Sequence, residues 1–190
     1  MENIYIQLNS KIRKQGTTPV EPHNYRVSLK DKNIITIMRN RIFLGGTCAE
    51  TTWRNELMPM LYDYDCDWFN PVVKNWTPEC QAIEEDEKNN KCNVHLYVIT
   101  SEMIGVYSIA EIINSCWQAQ CYGTHVNKVA FFILDRENSY DEWNKGQRKS
   151  FNATFRLCTD IAPERFCGGW VKDMKDVVKK LEEAGFIKHK

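Results

Sequence analysis

The chain has 190 residues, 43% of them hydrophobic, with 25 basic and 25 acidic side chains and a formal net charge of zero. That length supports one domain with a full core and an appendage. The balanced charge supplies no basic stripe for nucleic acid or an anionic membrane surface, and no apolar run is long enough to span a bilayer. The expected partner is a small molecule or another protein.

Eight cysteines stand at 48, 66, 80, 92, 116, 121, 158 and 167. The opening MENIYIQLNS has no basic segment followed by an apolar run, so no secretory signal is expected. The thiols are then expected to be reduced and the setting to be the cytoplasm. No C-x₂-C pair occurs and the four histidines do not stand at zinc spacing beside cysteines, so no metal is expected.

Residues 1–40 read as an N-terminal extension, with residues 4–6 and 25–27 as candidate hairpin strands and 33–38 leading towards the core. Next comes RIFLGGTCAE, residues 41–50. It reads as a strand at 41–45, a turn at Gly45-Gly46, and a helix from about 48 opened by a Thr47/Glu50 capping box. A strand, a small-residue turn and a helix start form half of a βαβ unit, whose loop either binds a ligand or only turns the chain. Pro59 is expected to kink or end that helix near Met58. The alternating Asp63, Asp65 and Asp67 do not make a calcium loop, because Trp68 and Lys74 stand where glycine and glutamate are required. A short strand at 67–69 closes at Asn70-Pro71.

Thr77-Pro78 starts a helix that carries Glu84, Glu85, Asp86 and Glu87 and frays at Asn89-Asn90. VHLYVIT, residues 94–100, is apolar enough for the centre of a parallel sheet. Ser108 opens a helix with Ile109, Ile112, Ile113, Cys116 and Trp117 at helical spacing, and residues 128–135 form a further buried strand. A helix over about 141–158 is expected to turn Trp143, Phe151, Phe155 and Leu157 inward, with Gly168-Gly169 as punctuation. An amphipathic helix from Val171 to Leu181 stops at Gly185. The alternation predicts a three-layer α/β sandwich around a central parallel sheet of four or five strands, with residues 41–135 as its core and 136–190 as a helical extension packed on the same domain.

Glu111 is the candidate reactive group, in the first turn of the helix after the central strand. Ser108-Ile109-Ala110-Glu111 is also a capping box, and spacing favours capping over catalysis. At ~100° per residue Glu111 points away from the apolar stripe, so a loop or a second subunit is expected to cover it. Glu84 and Glu85 belong to a charge run that reads first as a solvated face. Trp53 could stack a flat base and Arg54 could pair with an anion, although a core tryptophan and a surface ion pair are the commoner roles. His95, inside a strand, reads as a satisfied core histidine.

Together, FLGGT followed by WRNEL, FNPVV with NW, ECQAIEED, VHLYVIT and SIAEI resemble the nucleoside 2-deoxyribosyltransferase-like family over residues 41–134. The resemblance implies a flavodoxin-like or Rossmann-like sheet, a homo-oligomer, and cleavage of an N-glycosidic bond without cofactor or metal. It implies Glu111 as the nucleophile on the sugar, Glu85 or the adjacent Glu84 as the acid at the leaving base, and a partner subunit closing the site. Phe43, Gly45, Gly46, Thr47, Trp53, Asn70, Glu102 and Ser108 would shape the substrate pocket. The better-known enzymes carry a tyrosine where Phe43 stands, Ile113 replaces an expected glycine, and Glu102 is the nearest match to an acidic loop residue. The implied function is an N-glycosyl transferase or hydrolase acting on a nucleoside or nucleotide. Two alternatives are a non-catalytic module that sequesters or senses a small nucleotide and a protein-interaction domain using residues 170–184.

Overall fold

The computed structural model describes residues 39–48, 51–121, 123–137 and 142–190. The expected N-terminal hairpin and Glu50 lie outside them. Five strands, β1 (Asn40–Gly46), β2 (Cys66–Phe69), β3 (Val94–Ile99), β4 (Lys128–Leu134) and β5 (Phe166–Val171), pair in parallel in the order β2-β1-β3-β4-β5. The helices are α1 (Trp53–Leu61), α2 (Pro78–Asp86), α3 (Tyr107–Gln120), α4 (Lys145–Ile161) and α5 (Met174–Glu183). This is the flavodoxin-like strand order, and its direction reverses between β1 and β3, where such sheets bind ligands.

Side chains alternate across the sheet, which divides the core in two. Ile42, Leu44, Leu96, Val98 and Phe132 pack against Trp53, Leu57 and Leu61 of α1 and against Val177 and Leu181 of α5. On the other face Phe43, Tyr97, Ile99 and Phe131 meet Ile112 and Cys116 of α3 and Phe151 and Cys158 of α4. Every residue of β3 is buried, as its apolar run predicts for a central strand.

Several local expectations are revised. Helix α1 begins at Trp53, after Thr52, and not near residue 48 behind a Thr47 cap. The Thr47 hydroxyl instead accepts the Thr100 N–H at 3.0 Å, tying the β1 turn to the end of β3. Pro59 neither ends nor breaks α1, which runs to Leu61. Both Pro59 and Asn55, four residues earlier, are exposed, so the carbonyl that loses its partner faces water. In α3 the buried stripe is Ile112, Ser115, Cys116 and Ala119, and Trp117, about 100° beyond Cys116, is exposed. In α4 Leu157 is exposed for the same reason, because it lies about 200° round from Phe155.

Gly168-Gly169 is not punctuation but the middle of β5, so residues 136–190 contribute a strand as well as helices. A side chain at Gly168 would meet the Phe131 carbonyl oxygen at 2.7 Å and the Phe166 ring, so the close pairing of β4 and β5 requires glycine there.

Candidate functional site

A cleft of about 570 Å³ opens at the strand-order reversal. Gly45 and Gly46 at the end of β1 form its floor with Phe43, α2 forms one wall and the first two turns of α3 form the other. Gly46 has φ +109° and runs against the Val98 backbone, and a Cβ on Gly45 would stand 2.6 Å from the Tyr97 ring. The missing side chains therefore serve both the strand pairing and the open floor.

Helix α2 continues as a π turn, Glu87–Lys91, closed by the Cys92 N–H on the Glu87 carbonyl at 2.8 Å. Single π turns inside helices are frequent at functional sites. Arg41 holds this one with a two-nitrogen grip on Glu87 Oε2, at 3.0 and 2.8 Å. The turn buries Lys88 and directs its ammonium onto Glu111 Oε1. The same ammonium lies 5.4 Å from the Phe43 ring centre and 5.8 Å from that of Tyr97.

Below the cleft His95 is fully buried and fully partnered, the core role read from the sequence. Its Nε2 lies 2.8 Å from the Lys88 carbonyl oxygen, which can only accept, so Nε2 carries the proton. Nδ1 then accepts from the Ser115 hydroxyl at 2.9 Å, and Ser115 accepts from the Tyr97 hydroxyl at 2.9 Å. Burial pushes the imidazole pKa down to about 4, so the ring is neutral at pH 7. This chain ties β3, α3 and the π turn beneath the two glutamates.

Glu111 does not cap its own helix. Helix α3 begins at Tyr107 behind Val106, with no side-chain cap, and the Glu111 carboxylate reaches across to Lys88. The angular expectation is also revised: α2 and its π turn, in the same chain, flank Glu111. Glu84 lines the cleft with Glu111, and its carboxyl pKa is raised, first by burial and then by the like charge of Glu111. Lys88 and Arg54 oppose that shift. Glu85 sits at the exposed rim, accepting from Gln81 at 3.0 Å.

The cleft thus brings together Glu111, Glu84, Glu85, Phe43, Gly45, Gly46 and Ser108. Thr47 lines an adjoining hollow of about 320 Å³, which shares Gly46, Cys48, Tyr107 and Ser108 with it. The other candidates stand apart. Trp53 is fully buried in the core, donating to the Thr47 carbonyl at 3.1 Å, so it has no face for a ligand. Arg54 is buried as well, holding the Leu44 and Thr47 carbonyls at 3.0 and 2.7 Å. Asn70 turns back to accept from Val72, and its neighbour Pro71 lines the cleft. Glu102 is exposed in a separate hollow with Arg136 and Glu142. Among the described residues no group of three or more acidic, histidine or cysteine side chains is arranged to hold a metal ion.

Sequence reasoning missed Lys88, Tyr97, Trp76, Tyr107 and Asn114. Only Lys88 left a local trace, standing one helical turn after Glu84.

The sheet order defines a flavodoxin-like α/β protein, and the carboxylate-lined cleft at its reversal is its candidate site. Residues 39–130 match the model of the family described as nucleoside 2-deoxyribosyltransferase like, so this part of the chain is similar to that family. Comparison with curated proteins and with solved structures gave no match. Among the described residues no helix is long and apolar enough to cross a membrane.

Proposed function

We propose that the protein cleaves the N-glycosidic bond of a nucleoside-type substrate and passes the sugar to a second base or to water. The observation that carries this reading is the unequal pair of carboxylates in one cleft. Glu111 is matched to an ammonium, whereas Glu84 is biased by burial and by Glu111 towards keeping its proton. A carboxylate held by an ammonium beside a carboxyl that keeps its proton suits a nucleophile and an acid.

A Glu111 oxygen attacks the anomeric carbon, the carbon–nitrogen bond breaks, and its electron pair leaves with the base nitrogen, which takes the proton from Glu84. The covalent glycosyl-enzyme is then opened by an incoming base or water, which returns a proton to Glu84 and frees the Glu111 carboxylate. Glu85 supplies further negative charge at the rim. Phe43, Gly45, Gly46 and Ser108 shape the pocket, and Thr47 fixes the turn beside it. Lys88 steadies Glu111 in the role a tyrosine hydroxyl at position 43 would otherwise fill.

The exposed Trp76, Ile104, Val106 and Tyr107 near the mouth suit the homo-oligomer that the family resemblance suggests, with a second copy completing the site. A cytoplasmic setting agrees with eight free cysteines.

The test is incubation with deoxynucleosides, ribonucleosides and their phosphates, with and without a free base, followed by chromatography. Base release or exchange is expected, and Glu111→Gln should abolish it while keeping the circular dichroism spectrum. No turnover across the panel, with a nucleotide bound tightly and recovered unchanged, would overturn the reading in favour of a binding module.

A further inference from the structure

The charge lining the cleft bears on which nucleosides it admits. Among the described residues lining it, Glu84, Glu85 and Glu111 face a single cation, Lys88, which is already paired with Glu111. The nearby guanidinium of Arg54 is withdrawn, its Nε and Nη1 on the Leu44 and Thr47 carbonyls and its Nη2 3.6 Å from the Cys48 sulfur. Among the described residues no basic side chain lines the adjoining hollow, which offers the N-terminal end of α3. With Glu84 holding its proton as the acid, the lining keeps a formal charge of −1, which a helix end worth about half a positive charge does not offset.

We propose that the cleft selects a nucleoside without a 5′-phosphate, and that a nucleoside with a permanently cationic base, such as an N-ribosyl pyridinium, is its preferred form. This inference rests on the nucleoside-cleaving reading above. The cationic ring would sit between Glu85 and Glu111, with the exposed Trp76 and Tyr107 offering aromatic surface. Glu84 is biased towards its protonated form first by burial and then by the like charge of Glu111. A phosphate dianion entering this space would meet that field directly, whereas a cation would relieve it.

The chemistry follows the same charge. A neutral base needs the Glu84 proton as it leaves. A pyridinium base departs with the bond's electron pair as a neutral ring and needs no proton.

The experiment measures kcat/KM on the intact protein for a pyridinium riboside, a neutral nucleoside and its 5′-monophosphate. The pyridinium compound should be the best substrate, and the monophosphate should be on the order of tenfold or more below its parent nucleoside, as expected for unscreened like charges. Raising the salt should narrow both differences. Glu84→Gln should cost the neutral nucleoside far more than the pyridinium riboside, and Glu85→Gln should shrink the penalty on the monophosphate. A monophosphate preferred over its nucleoside, or a pyridinium riboside that loses as much as the neutral nucleoside in Glu84→Gln, overturns this proposal while leaving base cleavage standing. No base release from any of the three overturns both.

Discussion

Lys88 and Glu111 stand 23 residues apart on different helices, and their side chains join as an ion pair with only 11% and 18% of their respective surfaces exposed. The π turn aims one and the first turn of α3 presents the other. Each charge is largely out of water, so each depends on its partner.

Removing one member should therefore do more harm than removing both. Lys88→Met leaves Glu111 half-buried and unpaired and should cost about 3 kcal/mol of stability, as for other broken buried pairs. The double variant Lys88→Met/Glu111→Leu should recover most of that loss. Urea unfolding of the wild type, both single variants and the double variant measures the coupling. Additive losses would show that the pair contributes nothing to the fold.

Glu84 gives a prediction in pH. Its pKa is raised, by burial first and by Glu111 second, so the acid form persists to higher pH than an ordinary glutamate allows. If that proton goes to the leaving base, kcat/KM for a neutral nucleoside should fall as pH rises through the raised value. Glu84→Gln should lower the rate on the order of 10²-fold and remove that basic limb. A limb that survives in Glu84→Gln belongs to another group.

Much of this architecture was legible in the sequence, because β3 and β4 are apolar runs and the helices between strands keep a 3.6-residue period. What escaped depends on partners distant in the chain. Gly168-Gly169 looks like a break until Phe131 is placed beside it, and the close approach of β4 shows why a strand uses glycine there. Glu111 looks like a cap because Ser108 stands three residues before it, and no local rule supplies Lys88 from another helix. Trp53 takes the core role, the commoner of its two readings, whereas Arg54, expected in a surface ion pair, is buried on the Leu44 and Thr47 carbonyls. The carboxylates, the glycine turn and Phe43 were readable as residue types, while the network beneath them, from Tyr97 through Ser115 and His95 to Lys88, is purely tertiary.

The floor of the cleft predicts a steep contrast between two glycines. Gly46 has φ +109°, and a methyl group there would run into the Val98 backbone, with the nitrogen at 2.7 Å. Gly46→Ala should cost about 3 kcal/mol or more, or prevent folding, since strain and clash add. Gly105, in the loop before α3, has open space around its Cβ position. Gly105→Ala should stay within about 0.5 kcal/mol of wild type. Thermal unfolding of both reads the difference, and similar stabilities would mean that β1 and β3 are not packed as closely as described.

His95 predicts how stability responds to acid. Its pKa is about 4 in the folded protein, against 6.5 for an ordinary histidine, and the cause is burial. A depressed basic group favours the folded state while neutral, so its contribution is complete above pH 6.5. Between 6.5 and 4 the unfolded chain binds a proton that the folded chain refuses, and stability should fall by about 3 kcal/mol over that interval. Glu56, Asp86 and Glu87 are held below the usual carboxylate range by their hydrogen-bond and ion-pair partners. Their contributions are lost at more acid pH, while Glu84 and Glu142, held above the usual carboxylate range first by burial, oppose the His95 slope, so the difference between wild type and a variant lacking the imidazole reports His95. His95→Gln keeps an amide donor for the Lys88 carbonyl and an oxygen to accept from Ser115 but has nothing to titrate, so it should flatten that slope. Urea unfolding at half-unit steps of pH gives the comparison, and an unchanged slope in His95→Gln would show that the imidazole is not sealed from solvent as its partners on β3, α3 and the π turn require.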